Sequence, residues 1–172
     1  KACAEFKHIY KNADKLSELV ISDKELGDVM VRDNKIALIS ATGSCAMGKA
    51  IAPILAKRFA KSIFELGGNN AGIVCPSADI DLAVKAITFS AAGTSGQRCT
   101  SMRRLFVHED IFENCIEKLK DSFDNLVIGD PNNPSTQLGP LISENSFKEM
   151  QLSLSNAKDD GALVIGGERL DI

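Results

Sequence analysis

Histidine and aromatic residues are scarce in this sequence, tryptophan is absent, and no apolar run is long enough to span a membrane. The 172 residues include two histidines, one tyrosine and no tryptophan. No stretch free of charged residues approaches the roughly 18 residues that a transmembrane helix needs. Acidic residues outnumber basic ones by 23 to 20, which gives a net charge of −3. The sequence therefore offers no electrostatic argument for nucleic acid or an anionic membrane as its main partner.

The cysteines do not follow a metal-binding or disulfide pattern. Their number is odd, they are spread along the chain, and no C-x-x-C pair occurs. Two histidines at this spacing cannot complete a Cys/His zinc site. We therefore expect no metal site, a reducing cytoplasmic environment, and thiols that are mostly buried as small hydrophobic groups. The five cysteines are Cys3, Cys45, Cys75, Cys99 and Cys115.

Short apolar runs alternate with segments of helical periodicity, which predicts an α/β fold. With 44% hydrophobic and 25% charged residues, the composition is that of a globular protein, and the length allows one domain with its own core. The predicted strands are 18–21, 35–40, 62–66, 71–75, 104–107 and 162–165. The predicted helices are 24–32, 44 to about 60, 79–91, 109–123 and 144–159, with a helix end at 1–11.

Two details of the predicted helices can be compared with a structure. Pro53 lies inside the helix that runs to about residue 60, where it removes a backbone donor and predicts a kink. In the helix 109–123, helical spacing predicts inward-facing side chains. These are Phe112, Cys115, Ile116, Leu119 and Phe123.

A glycine-containing loop at 43–50 follows one predicted strand and precedes a predicted helix. Its sequence, GSCAMGKA, nearly matches the phosphate-binding pattern G-x-x-x-x-G-K-[ST]. That pattern needs a final hydroxyl to bind Mg²⁺, and Ala50 has none, which argues against a phosphate-loop NTPase. Backbone N–H groups at the helix N-terminus can still bind a phosphate. An ordinary tight turn between strand and helix explains the same residues.

Two later segments place chemically capable side chains beside glycines. Glu65 ends a predicted strand and precedes Gly67 and Gly68, which allow close approach to the backbone. Cys99 follows the loop GTSGQR, 34 residues after Glu65. Taken singly, a lone cysteine is more often buried and inert, and a glutamate at a strand end is more often a solvated charge.

In their order and spacing, these segments resemble the aldehyde dehydrogenase superfamily. The resemblance extends from about Gly27 to Gly167, and ELGGNN and GQRCT are most similar to the antiquitin branch, the α-aminoadipic semialdehyde dehydrogenases. The matching segments are TGS at 42–44, MGK at 47–49, ELGGNN at 65–70, DID at 79–81, GQRCT at 96–100, GDP at 129–131 and GPL at 139–141.

The resemblance implies that the chain is an internal portion of a longer enzyme. Residues 1–66 would form the later half of a Rossmann-like NAD(P)-binding domain, and residues 67–172 would form the earlier half of an α/β catalytic domain. The enzyme would oxidise an aldehyde to a carboxylic acid with NAD or NADP, and its full-length form would be a homo-oligomer. Because the sequence begins at Lys1 and not at methionine, an excerpt or a processed product is expected.

The resemblance also implies roles for particular side chains. Cys99 would attack the aldehyde to give a thiohemiacetal, hydride would pass to the nicotinamide, and Glu65 would activate the water that hydrolyses the resulting thioester. Arg98 would bind the distant carboxylate of an amino-acid semialdehyde, with a surface arginine or an ion pair with an acidic neighbour as the less favoured alternative. The implied cofactor contacts are Gly43, Ser44, Met47 and Leu66.

The sequence also departs from the family pattern. The segment 22–25, SDKE, stands where relatives usually carry glycines, and its carboxylates would repel a pyrophosphate. Cys45 replaces a threonine, and Ala41 replaces an aromatic residue. The upstream segment that supplies an oxyanion asparagine is absent, as are the downstream catalytic segment and the oligomerisation strand. We therefore expect little or no dehydrogenase activity from this chain alone, and a non-catalytic binding or scaffold module is the alternative.

Overall fold

The computed structural model describes residues 17–170, which divide into two compact units. The first unit ends at Leu66 and the second begins at Gly67. The helix end predicted at 1–11 and the position of Cys3 lie outside the described residues. Each unit is built around a pair of parallel strands joined by a helix.

The first unit is a βαβ motif preceded by a helix. In chain order its elements are α1 Lys24–Arg32, β1 Leu38–Thr42, α2 Cys45–Lys57 and β2 Lys61–Glu65. Strands β1 and β2 are parallel, from Leu38 opposite Lys61 to Thr42 opposite Glu65. A parallel pair requires a crossover connection, and α2 supplies it. The carboxyl ends of both strands therefore lie at the same edge of this sheet.

Helix α2 ends in a Schellman motif around Phe59. The Phe59 N–H donates to the Ala56 carbonyl, and the Ala60 N–H donates to the Leu55 carbonyl, each at 3.1 Å. Phe59 has a φ of 54°, the left-handed conformation usually taken by glycine at this position. The left-handed turn explains why α2 stops at Lys57, before the predicted end at about residue 60.

Arg58 joins the end of α2 to the segment between α1 and β1. Its Nε donates to the Val31 carbonyl at 3.0 Å, and its Nη1 donates to the Ile36 carbonyl at 2.7 Å. Val31 of α1 and Leu55 of α2 are both buried, so the interior of this unit is formed between its two helices. The guanidinium thus satisfies carbonyls that would otherwise lack a partner near the end of α1.

The second unit repeats the strand–helix–strand arrangement and continues into further helices. Its elements are β3 Asn70–Val74, α3 Ile80–Ala92, β4 Met102–Val107, α4 Phe112–Asp124 and α5 Glu144–Asp159, with 3₁₀ turns at Gly93–Gly96 and Glu109–Ile111. Strands β3 and β4 are parallel, and the register shifts between Asn70, opposite Met102, and Ala71, opposite Arg104. Arg103 is therefore the extra residue of a β-bulge at the start of the pair.

The core of the second unit lies between β3, α3 and α4. Apolar side chains from β4 pack against it, among them Met102 and Leu105. Helix α3 begins at the cap Asp79, whose carboxylate accepts a hydrogen bond from Leu82 N at 3.0 Å. Each fully buried aliphatic side chain stabilises the fold by about 1.5–3 kcal/mol. The buried cluster consists of Val74, Val84, Ile87, Cys115 and Leu119.

The predicted α/β class is confirmed, and each helix predicted between residues 24 and 159 is present. Pro53 does lie inside α2, which is one continuous helix from Cys45 to Lys57. The strands predicted at 18–21 and 162–165 are wrong, because within residues 17–170 neither segment has a hydrogen-bonded neighbouring strand and both are irregular. Phe112 and Phe123 are also wrongly predicted as inward: they are 45% and 42% exposed. They occupy the first and last turns of α4, beyond the stretch from Cys115 to Leu119 that reaches the core.

Candidate active site

Hydrogen bonds hold the turn between β1 and α2 at both of its ends. Ser44 caps α2, its Oγ accepting a hydrogen bond from Met47 N at 3.1 Å. The Gly43 N–H donates to the Glu65 carbonyl at 3.0 Å, which links the turn to the end of β2. A serine cap satisfies one of the unpaired N–H groups of a first helical turn. This part of the site is therefore a rigid strand–turn–helix junction.

Two glycines allow close packing beside this turn. A Cβ on Gly43 would lie 2.9 Å from Met47 Sδ, and a Cβ on Gly48 would lie 2.5 Å from Leu66 Cδ1. Both distances are shorter than a carbon contact allows. Met47 therefore covers the Gly43 turn, and Leu66 packs directly on α2. Gly43, Ser44, Met47 and Leu66, which the resemblance named together, do lie in one region of the first unit.

Glu65 and Cys99 belong to different units. Glu65 is the last residue of β2, and its side chain is exposed. Cys99 lies in the second unit, in the loop between the Gly93–Gly96 turn and β4, and its thiol is also exposed. Strand ends and loops of this kind are where α/β folds carry reactive groups.

The main chain around Cys99 forms a closed turn. Ser101 N donates to the Arg98 carbonyl at 3.2 Å, and Arg98 N donates to Ser101 Oγ at 3.1 Å. Ser101 is only 2% exposed, so this hydroxyl is a buried structural group. The carboxamide of Asn70 adds two hydrogen bonds, donated by Nδ2 to the carbonyls of Cys99 at 2.8 Å and Ser101 at 3.0 Å.

The loop before Cys99 is strained. Thr94, Ser95 and Gly96 have φ angles of 54°, 55° and 70°. The left-handed conformation costs about 1–2 kcal/mol for a residue with a Cβ, so surrounding contacts must maintain it. Ser95 Oγ donates to the Gly139 carbonyl at 2.7 Å, and Gln97 Oε1 accepts from Ile142 N at 2.8 Å. The segment 139–142 therefore supports the loop.

Arg98 binds the end of helix α3. Its Nε donates to Thr94 Oγ1 at 3.0 Å and to the Gly93 carbonyl at 3.3 Å, and its Nη2 donates to the Phe89 carbonyl at 3.4 Å. Its guanidinium carbon lies 4.9 Å from the centre of the Phe89 ring. A cation at a helix C-terminus is favoured by the helix dipole. The partners of Arg98 are thus carbonyls, a hydroxyl and a ring, neither solvent alone nor an acidic neighbour.

The sequence reasoning missed the residues that fix the Cys99 loop. Asn70 and Gln97 hold it through long-range hydrogen bonds and Ser101 through a local one with Arg98, and only their position beside the glycine and cysteine segments could have suggested them. The expectation of mostly buried thiols is wrong for the described cysteines, because Cys45, Cys75 and Cys99 are exposed. Only Cys115 among those four is buried, and burial raises the pKa of its thiol.

Residues 17–170 contain neither a metal-binding cluster nor a membrane-spanning helix. No group of three or more His, Cys, Asp or Glu side chains in that range could hold a metal ion. Over the same range, no helix is both long and apolar enough to cross a membrane.

Comparison with known proteins relates the site to a family. The aldehyde dehydrogenase family model matches residues 4–171. The α-aminoadipic semialdehyde dehydrogenase of Mus musculus is 38% identical over 157 residues, which cover 91% of this chain and 29% of that protein. The chain therefore spans about a third or less of the length of such relatives.

Solved structures agree with the sequence comparison. Lactaldehyde dehydrogenase from Escherichia coli superposes with a TM-score of 0.85 at 31% identity, covering 89% of this chain and 33% of that one. Betaine aldehyde dehydrogenase from Staphylococcus aureus, solved in complex with NAD⁺, gives 0.84 at 29% identity, with 89% and 30% covered. By its family match, its relatives and its fold, this chain belongs to the aldehyde dehydrogenase family.

Proposed function

We propose that this chain supplies the catalytic cysteine and part of the cofactor site of an NAD-dependent aldehyde dehydrogenase. The reaction is the oxidation of an aldehyde to a carboxylic acid. The Cys99 loop carries this proposal: an exposed thiol lies on a main chain that is fixed by hydrogen bonds with the side chains of Asn70 and Ser101, in a chain of the aldehyde dehydrogenase family. A positioned, accessible thiol is the requirement for nucleophilic catalysis.

The chain's own residues divide the chemistry between them. The Cys99 thiolate attacks the aldehyde carbon to form a thiohemiacetal, and the main-chain N–H of Cys99 donates to the oxyanion. Loss of hydride from that carbon leaves a thioester on Cys99. Glu65 takes a proton from the water that hydrolyses the thioester, which releases the acid and restores the thiol.

The Gly43–Ser44 turn fits the pyrophosphate of a dinucleotide. Ser44 adds a hydroxyl, and the first turn of α2 contains no acidic residue. The Gly43 N–H is bound to the Glu65 carbonyl and Met47 covers the glycine, so the contact proposed for Gly43 requires the Met47 side chain to move. A helix N-terminus favours an anion. Met47 and Leu66 complete the proposed contacts, and the bound cofactor supplies the hydride acceptor. NAD is proposed, with NADP as the alternative, because the Staphylococcus aureus relative was solved with NAD⁺.

The proposed substrate is an aldehyde, specifically an amino-acid semialdehyde. The name of the Mus musculus relative supports this class. Arg98 supports it in part: Nε and Nη2 are bound within the protein, while Nη1 has no hydrogen bond in the described chain. One guanidinium nitrogen is thus available to a carboxylate, and it would bind in a monodentate manner.

The larger context follows from the same resemblance. We propose that residues 1–66 are the later half of a Rossmann-like NAD(P)-binding domain and that residues 67–172 are the earlier half of the catalytic domain. The division of the chain at Leu66 and the βαβ motif of the first unit support this assignment. A cytoplasmic location, supported by the free thiols of Cys75, Cys99 and Cys115, and a homo-oligomeric full-length enzyme are further proposals.

A non-catalytic module is the second candidate, and Asp23 favours it. The Asp23 carboxylate accepts hydrogen bonds from Glu25 N at 3.1 Å and Leu26 N at 3.3 Å, so it occupies the N-terminus of α1 in place of a phosphate. Calorimetric titration of this chain with NAD separates the candidates in part. Binding in the millimolar range or tighter favours the dehydrogenase, whereas no binding at millimolar NAD favours either the scaffold or a fragment that lacks part of the cofactor site.

The dehydrogenase proposal is tested in the natural gene product that contains this chain. Replacement of the nucleophile by Cys99→Ser should lower the aldehyde-dependent formation of NADH by ~10³-fold or more, because removal of a catalytic nucleophile lowers the rate of an enzyme by at least that factor. Cys75→Ser, which changes another exposed thiol in the same unit, is the matched control and should retain the activity. Activity that survives Cys99→Ser would refute the proposal.

A further inference from the structure

The β-bulge at the start of β3 and β4 brings the segment Gly68–Asn70 against the Cys99 turn. Asn70 pairs with Met102, and the next pair in the register is Ala71 with Arg104. Bulges frequently redirect side chains beside active sites. Here the bulge lies between the segment 97–99 and the sheet. The sequence analysis assigned no role to the residues that form it.

The side chain of Asn70 has one orientation that satisfies its surroundings. Both of its close partners, the carbonyls of Cys99 and Ser101, are acceptors at 2.8 and 3.0 Å. Only the amide nitrogen can donate to them, and its two hydrogens suffice for both. One side chain therefore fixes the peptide carbonyls on either side of Thr100 and restricts the backbone torsions of this part of the loop.

Arg103 and Gly68 strengthen the same junction. Arg103 Nε donates to the Gly68 carbonyl at 3.1 Å, and its Nη2 donates to the Arg98 carbonyl at 3.4 Å. A Cβ on Gly68 would lie 2.8 Å from Asn70 Oδ1 and 3.1 Å from the Cys99 carbonyl oxygen. The carbonyls of Arg98, Cys99 and Ser101 are thus all bound by this junction, and the space beside Asn70 is filled.

We propose that Asn70 is the positioning residue for the Cys99 nucleophile, acting through hydrogen bonds to the main-chain oxygens of Cys99 and Ser101. The catalytic role of Asn70 rests on the proposed dehydrogenase function, whereas the hydrogen bonds that form the junction do not depend on that function. Asn70 orients the peptide units that carry the thiol, so its loss should lower turnover with little change in cofactor binding. Misplacement of a reacting group by a fraction of an ångström to an ångström has large effects on the rate.

The variants are chosen to separate positioning from packing. Asn70→Leu removes both donors at similar volume, and Asn70→Gln keeps the donors on a longer side chain. Asn69→Leu is the matched control, because the Asn69 side chain is exposed and makes no hydrogen bond within the described chain. In the natural gene product, Asn70→Leu should lower kcat by ~10-fold or more, a loss comparable to that of two ordinary hydrogen bonds.

The same experiment predicts a split between kinetic constants. The KM for NAD should change by less than ~2-fold in Asn70→Leu, Asn70→Gln should recover most of the kcat, and Asn69→Leu should leave both constants unchanged. An unaltered kcat in Asn70→Leu, a parallel rise in KM, or an equal effect of Asn69→Leu would overturn the proposal. Should Asn70→Leu fail to fold, Asn70→Ala takes its place, and failure of both to fold also overturns it.

A second measurement separates this proposal from the dehydrogenase assignment. In this chain, the rate at which iodoacetamide alkylates Cys99 is measured by peptide mass spectrometry, with Cys75 of the same molecule as internal reference. Asn70→Leu should change the ratio of the two rates by ~5-fold or more, and Asn70→Gln should restore it. If the natural gene product has no dehydrogenase activity, this ratio alone decides: a changed and restored ratio supports the positioning role, and an unchanged ratio refutes it.

Discussion

Arg98 anchors the end of α3, and its removal should therefore destabilise the second unit whatever the substrate is. The Arg98→Ala variant loses one well-formed hydrogen bond to Thr94 Oγ1, two longer ones to the carbonyls of Gly93 and Phe89, and the contact with the Phe89 ring. The shortest bond contributes about 1 kcal/mol. The ring contact adds about 0.5–1 kcal/mol, and the favourable position at the helix C-terminus adds about 0.5 kcal/mol.

These contributions predict a loss of about 2 kcal/mol in the free energy of unfolding. Urea unfolding of this chain, followed by circular dichroism, measures that loss. Arg98→Lys keeps the charge without the fork of donors and should lose about half as much. Lys120→Ala, at an exposed lysine of α4 with no hydrogen bond or ion pair in the described chain, is the control and should be neutral.

If Arg98 served only to bind the carboxylate of the substrate, its removal would have a different effect on the kinetic constants. In the natural gene product, loss of the anchor lowers kcat for uncharged aldehydes and semialdehydes alike, because the loop that carries Cys99 is loosened. Loss of the proposed Nη1 contact with the carboxylate adds a rise in the KM for semialdehydes. Removal of a substrate clamp would instead raise the KM for semialdehydes alone. An Arg98→Ala variant with unchanged stability and a selective loss of semialdehyde affinity would refute the anchoring role.

Two other parts of the chain give simpler tests. Phe59→Gly should raise the unfolding free energy by about 0.5–1 kcal/mol, because glycine relieves the left-handed strain while the 95% exposed ring contributes little burial. Thermal unfolding measures this, Phe59→Ala should show no such gain, and a destabilised glycine variant would contradict the Schellman assignment. The hydrogen bond from Lys118 holds the pKa of Asp81 below its ordinary value of 3.8. The contribution of this pair to stability is therefore complete above pH 3.8 and is lost as the pH falls through the lowered pKa of the folded state. An NMR titration should find the Asp81 pKa returning toward 3.8 in Lys118→Ala, and an unmoved pKa would exclude the pairing.

The sequence carried the information for the helices between residues 24 and 159 and for the positions of the four paired strands, but not for their pairing. Caps such as Ser44 and Asp79 are local signals, since the cap and its partner lie three residues apart. The strands were recognisable as apolar runs, although β1 begins at Leu38 rather than at Lys35 and its residues are exposed or half-buried. The grouping of Gly43, Ser44 and Leu66 came from the family resemblance, and the hydrogen bond between Gly43 N and the Glu65 carbonyl is consistent with it.

The errors and omissions have a common physical origin in long-range contacts. An apolar segment such as 18–21 becomes a strand only when another strand pairs with it, and β-propensity cannot report that pairing. The Schellman end of α2 depends on Phe59 adopting a conformation that its residue type disfavours. The role of Asn70 depends on carbonyls 29 and 31 positions away. Periodicity and local motifs do not encode such contacts.

The thioester on Cys99 is the most direct test of the central claim. The natural gene product carrying Glu65→Gln is mixed with aldehyde and NAD, digested, and analysed by peptide mass spectrometry. Because Glu65 is proposed to activate the hydrolytic water, the variant should accumulate an acyl adduct on Cys99 and on none of the other cysteines. An adduct on a different residue, or no adduct while the wild-type enzyme turns over the same aldehyde, would contradict the assignment of Cys99 as the nucleophile.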